Sequence, residues 1–200
     1  MRLINDATTF GWLLLSVWQT HVGMAPALQP TPLEEFAGLP ATRIAWSQEV
    51  GRLDTPEAHA VVTVLILEDT AQPPDRMRGI RIDLRNRDSK DQVYLGEDTL
   101  GAYTNALDEI SQTTPGFRNT ARDSVAPGGT SYLGAGLFWY GDNTPRVHAL
   151  SAAYYFAPDS EGLCLSAFKE LEFRFPDQDA SQFSAIIARA IDQLKKSLNP

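Results

Sequence analysis

Glu170-Leu-Glu-Phe-Arg-Phe175 alternates charged and apolar side chains and then runs, through Pro176-Asp-Gln-Asp179, into a stretch where Phe183, Ile186, Ile187, Ala190, Ile191 and Leu194 recur at helical spacing. Period two places Leu171, Phe173 and Phe175 on one face of a strand and Glu170, Glu172 and Arg174 on the other. Period 3.6 gathers the second set on one stripe of a helix over 179–197, with Lys195 and Lys196 in its last turn, where they suit the helix dipole. A strand with one wet face followed by a helix with one apolar stripe has few ways to fold: the stripe must lie on the dry face of a sheet. A fainter copy lies mid-chain, where Gln92-Val-Tyr-Leu95 passes through Gly96-Glu-Asp98 into a helix over 98–111 with Leu100, Tyr103, Ala106, Leu107 and Ile110 on one side. Aligned without gaps at Leu95 and Phe175, Tyr103 falls over Phe183, Ala106 over Ile186 and Leu107 over Ile187. The match allows two related strand–helix halves, 41–112 and 130–198, but generic patterning explains it better, because almost no identities accompany it.

The remaining strands follow the same logic. Arg43–Val50 is a strand, and Ala60-Val-Val-Thr-Val-Leu-Ile-Leu67, apolar on both faces, belongs at the centre of a sheet. Gly79–Leu84 alternates as a half-exposed strand, and the polar hexad Asn86–Asp91 turns it into Gln92–Leu95 as a hairpin with a longer than minimal loop. Thr113-Thr-Pro115-Gly116 is expected to stop the first helix, with Phe117 to Gly129 as loop. Strands follow over 132–140 and 146–156, with glycines 134 and 136 in the first, and again near 162–168 and 170–175. The expected class is therefore α+β: a mostly antiparallel sheet of hairpins with both helices on one face, forming a single domain over 41–200.

Before that domain, residues 28–40 carry Pro30, Pro32 and Pro40 and read as a Pro-rich, extended lead-in with at most one helical turn at Leu33–Phe36. Residues 1–27 have the order of a secretory signal: Arg2, the apolar run Phe10–Trp18, then a polar stretch ending in Ala25-Pro-Ala27. The nine-residue run is well short of the ~20 residues that span a bilayer, so no stable membrane span is expected. Periplasmic or extracellular export is the expectation; the alternative is a cytoplasmic adaptor whose first 27 residues form a folded helix.

With 200 residues, 43% of them hydrophobic, the chain can bury a sizeable core. Its formal net charge of −8 argues against a nucleic-acid partner, which demands a concentrated basic surface. The Arg76, Arg78, Arg81, Arg85, Arg87 series reads as the solvated face of a strand and turn. A single cysteine, Cys164, leaves no intramolecular disulfide and no multi-cysteine zinc site.

Chemistry-bearing motifs are near-misses. Gly129-Thr-Ser131-Tyr-Leu-Gly134 resembles a nucleophile elbow with its second glycine one residue late, on a loop-to-strand rather than a strand-to-helix junction. Ser131 with His148 is the hydrolase candidate it offers, and His59 is the other histidine of the mature chain. Gly134-Ala-Gly136 lacks the third glycine of a dinucleotide fingerprint, and no cofactor is implied. Asn86, Asp88 and Asp91, and Asp142 with Asn143, lack the spacing of a calcium loop and read as turns, so no metal site is assigned. The pairs Glu97, Asp98 and Asp177, Asp179 read as helix starts. Trp139, Tyr140, Tyr154 and Tyr155 lie on adjacent strands and are the candidate binding aromatics, for a protein or a small ligand.

The leading functional expectation is a non-catalytic exported binding or protein-interaction module, with the Ser131–His148 hydrolase as alternative. Export is checked by intact-mass measurement of protein from its native host: the expected mass lacks Met1 to Ala27, and a mass that includes them rules out cleavage.

Overall fold

A computed structural model describes residues 31–71, 75–135, 138–140, 144–146, 150–167 and 171–197, with side chains described outside 134–135, 138–146 and 167. The fold is α+β. In chain order its elements are α1 (Pro32–Ala37), β1 (Thr42–Asp54), β2 (Ala58–Asp69), β3 (Asp75–Asn86), β4 (Lys90–Gly96), α2 (Glu97–Ser124), β5 (Ser131–Ala135), β6 (Phe138–Tyr140), β7 (Thr144–Arg146), β8 (Leu150–Ala157), β9 (Ser160–Ala167), β10 (Leu171–Pro176) and α3 (Ala180–Lys196). The expected single sheet is two four-stranded antiparallel meanders, β1-β2-β3-β4 and β5-β8-β9-β10, with β6 and β7 paired separately. Each meander runs directly into a helix. The strand–helix echo in the sequence is thus the tail end of a larger repeated plan, four strands and a helix, twice.

Alternation decides which face each strand buries. On β2, Ala58, Ala60, Val62 and Val64 point into the main core, opposite Leu84, Ile82 and Ile80 of β3. On the second sheet Leu150, Ala152, Tyr154, Leu163, Leu165, Phe173 and Phe175 do the same. Both inner faces and both long helices meet in one continuous core. Two sheets arise because the chain leaves the first one through α2 and never returns to its edges.

The helices are exchanged. Helix α2, which follows the first sheet, lies chiefly against β5 and β8, while α3, which follows the second, lies on β1 and β2. Gly51 makes the second contact possible: a Cβ there would sit 3.0 Å from Ile186 Cγ2 and 2.8 Å from Arg189 Nη2. Gln193 Nε2 also donates to Gln48 Oε1 at 2.9 Å. Between the helices, Tyr103 and Phe183 meet edge to face with ring centroids 6.3 Å apart. These are the positions that the gapless alignment equates. The two helices therefore meet at the aligned positions, and each lies on a different sheet instead of side by side on a shared one.

Helix α2 corrects the expectation that Thr113-Thr-Pro115-Gly116 ends it, since it continues to Ser124 with Pro115 inside. Proline removes one backbone donor and crowds the preceding turn, a loss of about 3 kcal/mol. What outweighs it is tertiary: the extra turns bury Ala121, set Phe117 edge-on to Tyr154 at 6.2 Å and bring Arg118 to the Tyr154 hydroxyl. Thr114, buried one residue before the proline, donates its hydroxyl to the Ile110 carbonyl at 2.7 Å. Apart from Ile110, none of these partners is local in sequence.

The Pro-rich lead-in is also more than a single turn. Helix α1 carries a complete capping box from Thr31 to Glu34, and Leu33 and Phe36 bury against Leu65 and Leu67 on the outer face of the first sheet. Gly79 leaves the space: a Cβ there would fall on the Leu95 carbonyl and 2.5 Å from Leu33 Cδ2. Residues 1–30, and with them the signal reading, lie outside the described residues.

Because each sheet is roofed by the other half's helix, neither half should melt alone. Phe183→Ala, at a fully buried position in the seam, is expected to lose about 3–5 kcal/mol in urea denaturation while keeping one transition. Hydrogen exchange should show both sheets weakened together.

Candidate functional site

With the inner faces filled, exposed chemistry falls on the outer faces. On the second sheet the pairing Tyr132↔Tyr155, Tyr155↔Gly162 and Cys164↔Arg174 places Tyr132, Tyr155, Cys164, Glu172 and Arg174 on the face opposite the core. Arg174 organises them. Its Nη2 donates to the Tyr132 hydroxyl at 2.5 Å and to Glu172 Oε2 at 3.1 Å, and Tyr132 in turn donates to Glu172 Oε2 at 3.2 Å. The guanidinium carbon lies 5.8 Å from the Tyr132 ring centroid and 5.4 Å from that of Tyr155, within cation–π range of both.

Tyr132 stays 38% exposed, whereas Tyr155 is buried and shares a 2.8 Å hydrogen bond with Ser160 Oγ. Burial, followed by the Glu172 charge, raises the Tyr132 hydroxyl above its ordinary pKa, so it remains a donor near neutrality. Beneath the cluster Cys164 is buried, and burial, with Glu172 next, pushes its thiol up to about 11. It packs as a small apolar side chain.

A second polar cluster belongs to the core side. Arg118 Nε approaches the Tyr154 hydroxyl at 3.0 Å and Glu161 Oε2 at 2.8 Å, and Tyr154 donates to Glu161 at 2.5 Å. Burial first, then the bond to Glu161, pushes Tyr154 up to about 12. The cluster ties the far end of α2 to β8 and β9. It holds the fold and exposes little of Tyr154.

The residues singled out from sequence separate accordingly. Tyr154 and Tyr155 are adjacent in sequence and therefore on opposite faces, each buried. Trp139 and Tyr140 form β6 against Pro145 and Thr144, with their side chains outside the described set. Ser131 opens β5 opposite Phe156 and is half-buried, while His148 lies outside the described residues, so their separation is not described. His59 pairs across the first hairpin with Asp54, Nδ1 to Oδ1 2.9 Å, on a solvated face.

Turn and capping roles are visible directly. Asn86 Oδ1 accepts from the Asp88 and Ser89 amides, and Asp179 caps α3 reciprocally with Gln182, while Gly96 is the N-cap of α2. Residues 142 and 143 lie outside the described set. The arginine series is largely ion-paired: Arg76 with Glu68, Arg78 with Glu97 and Arg81 with Asp83. Among the described residues no helix is long and apolar enough to cross a membrane.

The Tyr132–Arg174–Glu172 cluster was not assembled by sequence reasoning. Alternation in β10 put Glu172 and Arg174 on the wet face, but nothing local showed that β5 would lie close enough to deliver Tyr132. No protein-family model, curated protein or solved structure matches the chain.

The raised thiol pKa carries a sign. Only the thiolate reacts, so labelling of Cys164 by a disulfide reagent should be slow in the folded chain at pH 8 and quicken as pH climbs toward 11. Full, rapid labelling in denaturant is the companion result.

Proposed function

We propose that the chain is a non-catalytic binding module that engages a protein partner through the outer face of its second sheet, centred on Tyr132 and Arg174. The observation that carries this reading is the guanidinium held against two tyrosine rings and a carboxylate, with one ring left at the surface. Tyrosine and arginine are the side chains that most often dominate binding energy at protein interfaces. Here both are already fixed by mutual contacts across one four-stranded sheet, Tyr132 on β5 and Arg174 on β10, so a partner would order little on docking. The contacts that fix Arg174 already engage its Nη2, and a partner gains chiefly by covering the Tyr132 ring and drying the ion pair. Export, with loss of Met1 to Ala27, forms part of the same proposal.

The test compares immobilised full-length chain with a Tyr132→Ala/Arg174→Ala variant in extract of the native host, with retained proteins quantified by mass spectrometry. The expected result is a discrete retained protein whose recovery drops at least ~10-fold with the variant, while thermal melting shows the variant still folded. Equal recovery from both proteins sinks the reading. Turnover of an activated ester that is abolished by Ser131→Ala would replace it with the hydrolase.

A further inference from the structure

Helix α1 stands outside the core that α2 and α3 close. Leu33 and Phe36 are buried with Leu65 and Leu67 in a cluster of their own on the outer face of the first sheet, with Met77 and Tyr94 packed beside them. Among the described residues, none from α1 belongs to the main core or packs against it. Two hydroxyls tie the helix to the sheet: Thr31 Oγ1 donates to the Tyr94 carbonyl at 2.6 Å, and Thr42 Oγ1 donates to the Phe36 carbonyl at 2.8 Å. Between α1 and β1, Gly38, Leu39 and Pro40 are all exposed.

What holds α1 down is close in size to what opposes it. Docking orders the seven residues Thr31–Ala37, and each loses backbone freedom comparable to what one apolar side chain gains by burial. Against that stand two anchors, Leu33 and Phe36, and the apolar floor they cover. Hydrogen bonds inside the helix replace bonds to water and add little net. Docking also half-buries Glu34. Burial raises its carboxyl above the ordinary pKa, the bond to the Thr31 amide opposes this, and the Asp91 and Glu35 charges raise it further, so the docked state disfavours the carboxylate. A helix of six residues does not persist by itself in water, so release and unwinding are one step. The seam of α2 and α3 is a different case, because both sheets share the core it closes.

We propose that α1 is a strap that unlatches as one unit from the outer face of the first sheet, uncovering Leu65, Leu67, Met77 and Tyr94 while both sheets and the main core stay closed. The exposed connector absorbs the movement, and the recess left by Gly79 receives Leu33 again on closing. A covered apolar recess thereby becomes an accessible one without global unfolding. The strap lies on the other sheet from Tyr132 and Arg174, and it stands or falls independently of the binding reading.

The test is native-state amide exchange on the full-length chain over a series of low urea concentrations. The Glu34, Glu35 and Gly38 amides, bonded to Thr31 Oγ1, the Thr31 carbonyl and the Glu34 carbonyl, report on α1. The Ile80 and Ile82 amides report on the central strand β3. After correction for intrinsic rates, the three α1 amides are expected to exchange together, at least ~100-fold faster than the β3 amides and with little dependence on urea. Leu33→Ala should speed the α1 amides at least ~10-fold and leave Ile80 and Ile82 within about 2-fold. In a Cys164→Ala background, the thiol of Leu67→Cys should be labelled in the folded chain through the same opening, again with little dependence on urea. Equal protection of α1 and β3 with the same urea dependence would show that α1 opens only with the whole fold, and would overturn the proposal. So would a Leu33→Ala effect shared equally by β3, or α1 exchange during which the Leu67→Cys thiol is labelled only on global unfolding.

Discussion

The seam between α2 and α3 is the contact on which the rest of the molecule depends. Tyr103 and Phe183 meet at its centre, and beside them Ser184 Oγ donates to Asp108 Oδ1 at 2.6 Å, which satisfies a buried hydroxyl across the same interface. Each helix then continues onto the sheet of the opposite half. Neither sheet therefore has its own helix as its main roof, and the apolar inner faces are dry only while the seam is closed. An edge-on aromatic pair contributes of order 1 kcal/mol beyond its burial, but its larger effect is to set the distance at which the two halves share one core.

That arrangement also determines where function can sit. The inner faces are filled, so binding chemistry is left to outer faces and edges. On the first sheet the outer face is split: α1 covers the end at Leu65, Leu67 and Met77, and the other end carries the exposed pairs Arg52–Glu49 and His59–Asp54 beside the half-buried Arg81–Asp83. Exposed pairs of this kind contribute little to stability, about 0–1 kcal/mol each. The outer face of the second sheet is different in kind, because Arg174 lies over aromatic rings instead of standing in water.

Helix α2 shows how local and tertiary preferences divide the work. Up to Ile110 its apolar stripe and its propensity agree, and the helix there was legible. From Thr113 onward the local signals say stop. The helix persists because Phe117, Arg118 and Ala121 find Tyr154, Glu161 and the second sheet. Helix α1 makes the same point on a smaller scale: its prolines suggested an extended lead-in, yet Leu33 and Phe36 had a hydrophobic floor waiting on β2.

The sequence by itself determined the elements and their faces: period two in Leu171, Phe173 and Phe175, period 3.6 from Phe183 to Leu194, and turn residues such as Asn86, whose side chain bonds its own backbone. It also aligned Tyr103 with Phe183, the two rings that meet between the helices. These are local properties, set by backbone geometry and side-chain spacing, and they survive without knowledge of neighbours. The tertiary structure alone decided that there are two sheets, that the helices are exchanged between them, and that α2 passes through Pro115. It alone brought Tyr132, Glu172 and Arg174 together from strands some forty residues apart in sequence. The reason is physical: burial depends on which surfaces meet, and a one-dimensional pattern specifies which face of an element is apolar but not which other face will cover it.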